Sequence, residues 1–108
     1  KIDWGYAKDY VETAYKIMQL SKPDVFIIAS GSSHSVEYFV NKCFKYVGLD
    51  FKKYVKIDKK LLRPSKTVSL IGDISKAKKV FNYKVKTNLD KLISIMMEND
   101  LEIENKYN

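Results

Sequence analysis

A mixed α/β fold is predicted by three features of this chain. Apolar residues recur at helical spacing in three stretches, a short continuous apolar run of β-branched character lies between the first two, and Gly and Pro fall at the boundaries. At 108 residues and 45% hydrophobic, the sequence makes one domain at most, over residues 1–108.

The elements follow in order. Lys8 to Leu20 reads as a helix, with Val11, Ala14, Tyr15 and Met18 on one face and Asp9 suited to its first turn. Lys22-Pro23-Asp24 ends it. Val25 to Ala29 is short, apolar and β-branched, as a buried parallel strand would be. Ser30 to Ser33 is a loop, and Ser33 or Ser35 can cap a helix ending at Gly48. Val36, Phe39, Val40, Cys43, Phe44 and Val47 form its apolar face. Asp50 suits the cap of a short turn, and Tyr54 to Asp58 reads as a second strand. Ser75 is expected to cap a short helix through about Phe81. Thr87-x-x-Asp90 resembles a capping box, opening a last helix with Leu89, Leu92, Ile93, Met96 and Met97 inward. The polar tail after about residue 102 is expected to fray.

Charge narrows the function classes. The chain carries +7, from 19 lysines and one arginine against 13 acids. A basic balance permits nucleic-acid binding, but these lysines are spread along the whole chain. Readers of nucleic acid favour arginine, whose planar fork fits phosphates and guanine edges, so a lysine-rich solvated surface is the expectation and no nucleic-acid partner is assigned. Cys43 is alone, which rules out an internal disulfide and suits a reducing, cytoplasmic setting. No apolar run approaches the length of a membrane span, so no membrane partner is expected. His34 is the lone histidine, which excludes a histidine-cluster metal site, and it is read as a loop or helix N-terminal residue. Cys43, on an apolar face, is read as core rather than nucleophile.

The stretch Asp3-Trp4-Gly5-Tyr6-Ala7-Lys8-Asp9-Tyr10-Val11 resembles the Asp-Trp-Gly-x-Ala-x-Asp-Tyr-Val segment of GDP-mannose 4,6-dehydratases, lyases of the extended short-chain dehydrogenase/reductase group. The likeness continues through Pro23 to Gly31, Ser35-Val36 with Phe39-Val40, Val55 to Asp58, Arg63-Pro64, Gly72-Asp73-x-Ser75-Lys76-Ala77-Lys78, and Met96 with Asp100-Leu101-Glu102. In that family the opening segment lies late in the protein. The resemblance therefore implies a C-terminal, substrate-binding lobe lacking the N-terminal Rossmann sheet, whose partners would be a nucleotide sugar (GDP-mannose or a relative) and either the missing Rossmann half or another copy of itself. NADP is the cofactor of the intact family enzyme; none is expected to bind this chain alone.

The catalytic apparatus that the family implies has no counterpart here. The cofactor fingerprint is a glycine-rich turn opening a helix, and the four glycines at 5, 31, 48 and 72 are too far apart to make one. Tyr38-x-x-x-Lys42 satisfies the Tyr-x-x-x-Lys pattern, yet it falls in the family's Ser-Val-Arg-Glu-Phe-Val helix, which is not the catalytic one. A surface pair is the expectation, and no catalytic residue is assigned.

Arg63 is the best binding candidate. In the resembling enzymes the arginine of Arg-Pro contacts the nucleotide diphosphate, for which a guanidinium supplies two-pronged geometry, and Pro64 restricts the backbone after it. Departures cluster nearby: Lys66 replaces the acid of Arg-Pro-x-Glu, Val68 an aspartate, Leu61-Leu62 an aromatic pair, Ile2 the arginine before Asp-Trp-Gly, and Glu37 the arginine of Ser-Val-Arg. At Lys66 a donor stands where the family has an acceptor, which makes it a second candidate binding residue. The expectation is a catalytically incomplete relative of GDP-mannose 4,6-dehydratase. The alternatives are a non-catalytic anion-binding or interaction module that kept the fold, or a related nucleotide-sugar dehydratase or epimerase acting on another sugar.

Overall fold

The computed structural model describes residues 1–61 and 69–107, the last by its backbone. Four helices carry the architecture: α1 (Ala7–Met18), α2 (Val36–Tyr46), α3 (Ser75–Phe81) and α4 (Leu89–Tyr107), with short 3-10 turns at Phe51–Lys53 and Lys59–Leu61.

Local chemistry accounts for their ends. The Ser35 hydroxyl accepts the Tyr38 backbone N–H at 3.0 Å, so Ser35 caps α2. Beyond α2, Gly48 takes a left-handed φ of 74°, as a helix-terminating glycine should. Asp50 accepts the Lys52 N–H at 3.1 Å and starts the first 3-10 turn. Two caps differ from the sequence reading. Asp73 accepts both the N–H and the hydroxyl of Ser75, so Ser75 is the first residue of α3 and Asp73 supplies the acceptor. At α4 the acceptor is Asn88, which takes the Lys91 N–H at 2.8 Å in place of the Thr87 box.

The two expected strands are corrected. Among the described residues there is no strand, only an isolated antiparallel bridge between Ile2 and His34, so these residues are helices joined by extended and irregular segments rather than α/β. A strand is defined by its neighbour, and Val25–Ala29 has none. Its two end carbonyls go to side chains instead: Val25 O accepts from Lys76 Nζ and Ala29 O from the Tyr83 hydroxyl, each at 2.8 Å. At 55–58 the chain is likewise unpaired into any ladder and largely exposed.

Among the described residues two small apolar clusters form the core. Ile74, Ala77 and Tyr83 are buried with Phe26, Ile28, Ala29 and Phe81 packed against them. Phe26 meets Phe81 edge-on at 5.1 Å. Leu89, Leu92 and Ile93 of α4 are buried under α2 and the N-terminal segment, with Trp4, Phe39, Cys43 and Met97 partly buried beside them. Met96 points out instead, because the buried stripe of α4 runs through 89, 92, 93 and 97. On α1 the apolar face of Val11, Ala14, Tyr15 and Met18 is exposed, and the buried residue is Thr13, whose hydroxyl donates to Asp9 O at 2.8 Å.

Candidate functional site

Asp3 is the organising residue of the N-terminal region. Its carboxylate accepts the backbone N–H groups of Ser30 (3.0 Å), Gly31 (3.1 Å) and Gly72 (3.2 Å), and the Ser30 hydroxyl as well. Desolvation pushes this carboxyl upward, but the hydrogen bonds from Ser30, Gly72 and Gly31 outweigh it and leave the acid below its ordinary value. The Ile2–His34 bridge closes the same loop from its other end, at 2.8 and 2.9 Å.

Two glycines make this crossing possible. Gly31 has φ of 77°, a conformation that suits glycine. Gly72 passes so close to Ala29 that a Cβ at 72 would overlap the Ala29 methyl. Trp4, next to Asp3, packs on Phe39 of α2 with ring centres 5.0 Å apart, and Gly5 leaves room for the hydroxyl end of Tyr10. The Asp-Trp-Gly segment thus acts as a clamp joining residues 30–31, residue 72 and α2. Nothing in the residue pattern alone marked Asp3 as the acceptor, since its partners lie 27, 28 and 69 positions away.

Beside the clamp opens a cleft of about 270 Å³, its polar lining made by Ser30, Ser32, His34, Tyr38, Asn88 and Asp90. His34 stacks on Tyr38 at 4.7 Å, which places it in the loop before α2, as its sequence position suggested. The Tyr38 hydroxyl donates to Asp90 Oδ1 at 2.8 Å, while Lys42 lies 3.9 Å from the same carboxylate and 5.5 Å from the Tyr38 ring centre. The hydrogen bond to Asp90 raises the tyrosine's ionisation above its ordinary 10.0. A tyrosine base needs the opposite shift, so Tyr38 and Lys42 are a surface pair on α2 that meets Asp90 of α4. Cys43 is half-buried, and burial raises its thiol pKa, which fits a core residue.

The loop Ser30–Ser32 has the look of a phosphate cradle, and it does not fit one. The N–H groups of Ser30 and Gly31 are committed to Asp3, and that of Ser32 to the Ser30 hydroxyl at 3.2 Å. An internal carboxylate already fills the anion position, and repulsion would oppose a second anion there. These residues therefore do not fit the phosphates of a dinucleotide. Arg63 and Lys66, the sequence's binding candidates, lie outside the described residues, as do Leu62, Pro64 and Val68.

A few of the lysines are held in surface ion pairs. Lys76 reaches Asp24 at 2.7 Å and Lys86 reaches Glu12 at 3.2 Å, both exposed and screened by solvent, so they add little to stability. Among the described residues no group of three His, Cys, Asp or Glu side chains is placed to hold a metal, and no helix is long and apolar enough to cross a membrane.

The clamp and the residues around it are those through which the sequence resembled a family, and comparison with known proteins agrees. The chain belongs to the GDP-mannose 4,6 dehydratase family, whose model matches residues 1–96. It is 44% identical to GDP-mannose 4,6 dehydratase 1 of Arabidopsis thaliana over 101 residues, covering 94% of this chain and 28% of that protein. It is 39% identical to the Dictyostelium discoideum GDP-mannose 4,6 dehydratase, covering 100% of this chain and 36% of the relative. For the Homo sapiens protein of the same name the identity is 36%, over 95% and 32%. The chain thus spans about a third or less of these relatives.

Proposed function

We propose that this chain is the nucleotide-sugar-binding part of a GDP-mannose 4,6-dehydratase-type lyase, and that it holds substrate without performing the reaction by itself. The observation that supports this reading most is the family match over residues 1–96, in which the Asp3 clamp is formed by the matched segments themselves. Arg63 grips the nucleotide diphosphate, with Lys66 as a second cation three positions on. Substitution of lysine for the family's acid removes an acceptor for sugar hydroxyls, so binding of the diphosphate outweighs reading of the sugar.

In an intact dehydratase NADP takes and returns a hydride. Its phosphates find no free donors in the Ser30–Ser32 loop, so that loop would not hold the cofactor. Tyr38, its proton held by Asp90, supplies no base. The residues of this chain bind and orient; a cytoplasmic setting suits the single free thiol.

The test has two parts. Calorimetric titration of GDP into the chain should give saturable 1:1 binding, and incubation with GDP-mannose and NADP should give no 4-keto product above a protein-free control. Absence of GDP binding would remove the binding role, and turnover would remove the division of labour.

A further inference from the structure

A second cleft, of about 240 Å³, opens between α1 and the segment that follows α3. Two periodicities build it. Asp9, Thr13 and Lys16 stand at i, i+4 and i+7, on one face of α1. Asn82, Lys84 and Lys86 alternate along the facing segment, and Tyr83 between them is buried. None of these six side chains takes part in the Asp3 clamp or lines the cleft at His34.

The charges of this cleft are of both signs and differently placed. Lys16, Lys84 and Lys86 are exposed, whereas Asp9 is half-buried. Lys86 meets Glu12 at 3.2 Å, which leaves two of its three N–H donors free. Among the described residues Lys16 and Lys84 make no ion pair, and the Asp9 carboxylate accepts no hydrogen bond. Burial first, with Asp9 among the charges that add to it, holds the Tyr83 phenol above its ordinary value, so the acid stands near the buried end. The end of α3 would oppose an anion, but its Ala77 and Lys78 carbonyls are taken by the N–H groups of Tyr83 and Asn82.

Such a lining selects its ligand. A bare anion is drawn to the lysines and repelled by Asp9, and a neutral sugar leaves the lysines unused. A molecule with a phosphate at one end and hydroxyls at the other satisfies both. Sites for drug-sized ligands begin at roughly 300 Å³, so this cleft suits something smaller than a nucleotide. We infer that the cleft is a second binding site, for a monosaccharide phosphate. Lys16, Lys84 and Lys86 hold the phosphate, and Asp9 and Asn82 take the sugar hydroxyls, the carboxylate as acceptor and the amide as donor or acceptor. The site is separate from the one assigned to Arg63 and does not depend on it. Exposed cations are screened by water and salt, so the dissociation constant should be about 1 mM at low salt and should rise with salt.

The experiment titrates the ¹⁵N-labelled chain at low salt with glucose 6-phosphate, glucose and inorganic phosphate, reading amide shifts. Glucose 6-phosphate should give saturable shifts at residues 9–16 and 82–86, and each half alone should bind about tenfold more weakly. Lys16→Ala with Lys84→Ala, both exposed and so harmless to the core, should weaken glucose 6-phosphate about tenfold. Lys52→Ala with Lys53→Ala removes the same charge outside the cleft and should change nothing. Asp9→Asn gives opposite signs: it should weaken glucose 6-phosphate and strengthen inorganic phosphate, because the repulsion is gone. Circular dichroism confirms that each variant keeps its helices. Four results overturn the inference: no saturable shift, inorganic phosphate binding as tightly as glucose 6-phosphate, equal loss in the Lys52/Lys53 control, or loss of glucose 6-phosphate binding in Arg63→Ala.

Discussion

The Asp3 carboxylate and the Gly72 backbone N–H lie 3.2 Å apart, joining residues 69 positions distant in sequence. With Ser30 and Gly31 on the same carboxylate, one acid ties the N-terminus, the loop before α2 and the segment before α3. With two small core clusters among the described residues, such a tie carries an unusual share of the stability.

Removing it should be costly. Hydrogen bonds to a charged acceptor contribute about 1.5–3 kcal/mol each and do not add fully, so Asp3→Ala should cost about 3 kcal/mol. Urea unfolding reads this as a lower midpoint. An unchanged midpoint would mean that the clamp forms without the carboxylate.

Acid should release the same tie. Asp3 is held below its ordinary 3.8, so the stabilisation is fully present above that pH and is lost as pH falls through the lowered value. Thermal melts from pH 6 to pH 2 should show wild type losing stability at the acid end more steeply than Asp3→Ala. Parallel curves would assign the acid loss to other groups.

The glycines should respond differently to the same change. At Gly72 the new methyl meets the backbone-fixed Ala29 Cβ, and overpacking of that kind costs about 1–3 kcal/mol. At Gly48 nothing lies within 4 Å, so alanine should cost only the left-handed backbone penalty, about 1 kcal/mol, and asparagine less. Denaturant midpoints of Gly72→Ala, Gly48→Ala and Gly48→Asn check the order. Recovery by asparagine at 48 is the outcome that a steric origin would not give.

Tyr38 should titrate late. Its hydroxyl donates to Asp90, which keeps the proton on. In ultraviolet titration, the difference between wild type and Tyr38→Phe should show an ionisation above pH 10. An ionisation below pH 9 would make the pair with Lys42 a base after all.

The helices were legible in sequence because their information is local. Ser35, Gly48 and the apolar spacing of Phe39, Cys43, Leu89, Leu92 and Ile93 fix α2 and α4 from short-range chemistry. Val25–Ala29 was not, since a strand depends on a neighbour that the local pattern does not contain. The direction of the α1 face is not local either: periodicity shows that Val11, Tyr15 and Met18 share a side, and not what covers it. Asn88 took the cap expected of Thr87 by a shift of one residue, within the ordinary uncertainty of a helix end. Asp3 stands inside a recognisable motif, but its role as a hub appears only once residues 30, 31 and 72 are brought together.

The central claim is that this chain binds a nucleotide diphosphate through Arg63, and titration of GDP into wild type and Arg63→Ala tests it most directly. Loss of a charge-assisted, two-pronged contact should weaken binding about ten- to a hundredfold, with lysine at 63 recovering only part. Lys66→Glu serves as the control, because a second cation could take over the anchoring. Equal affinity of wild type and Arg63→Ala, with binding lost in Lys66→Glu, would contradict the role assigned to Arg63.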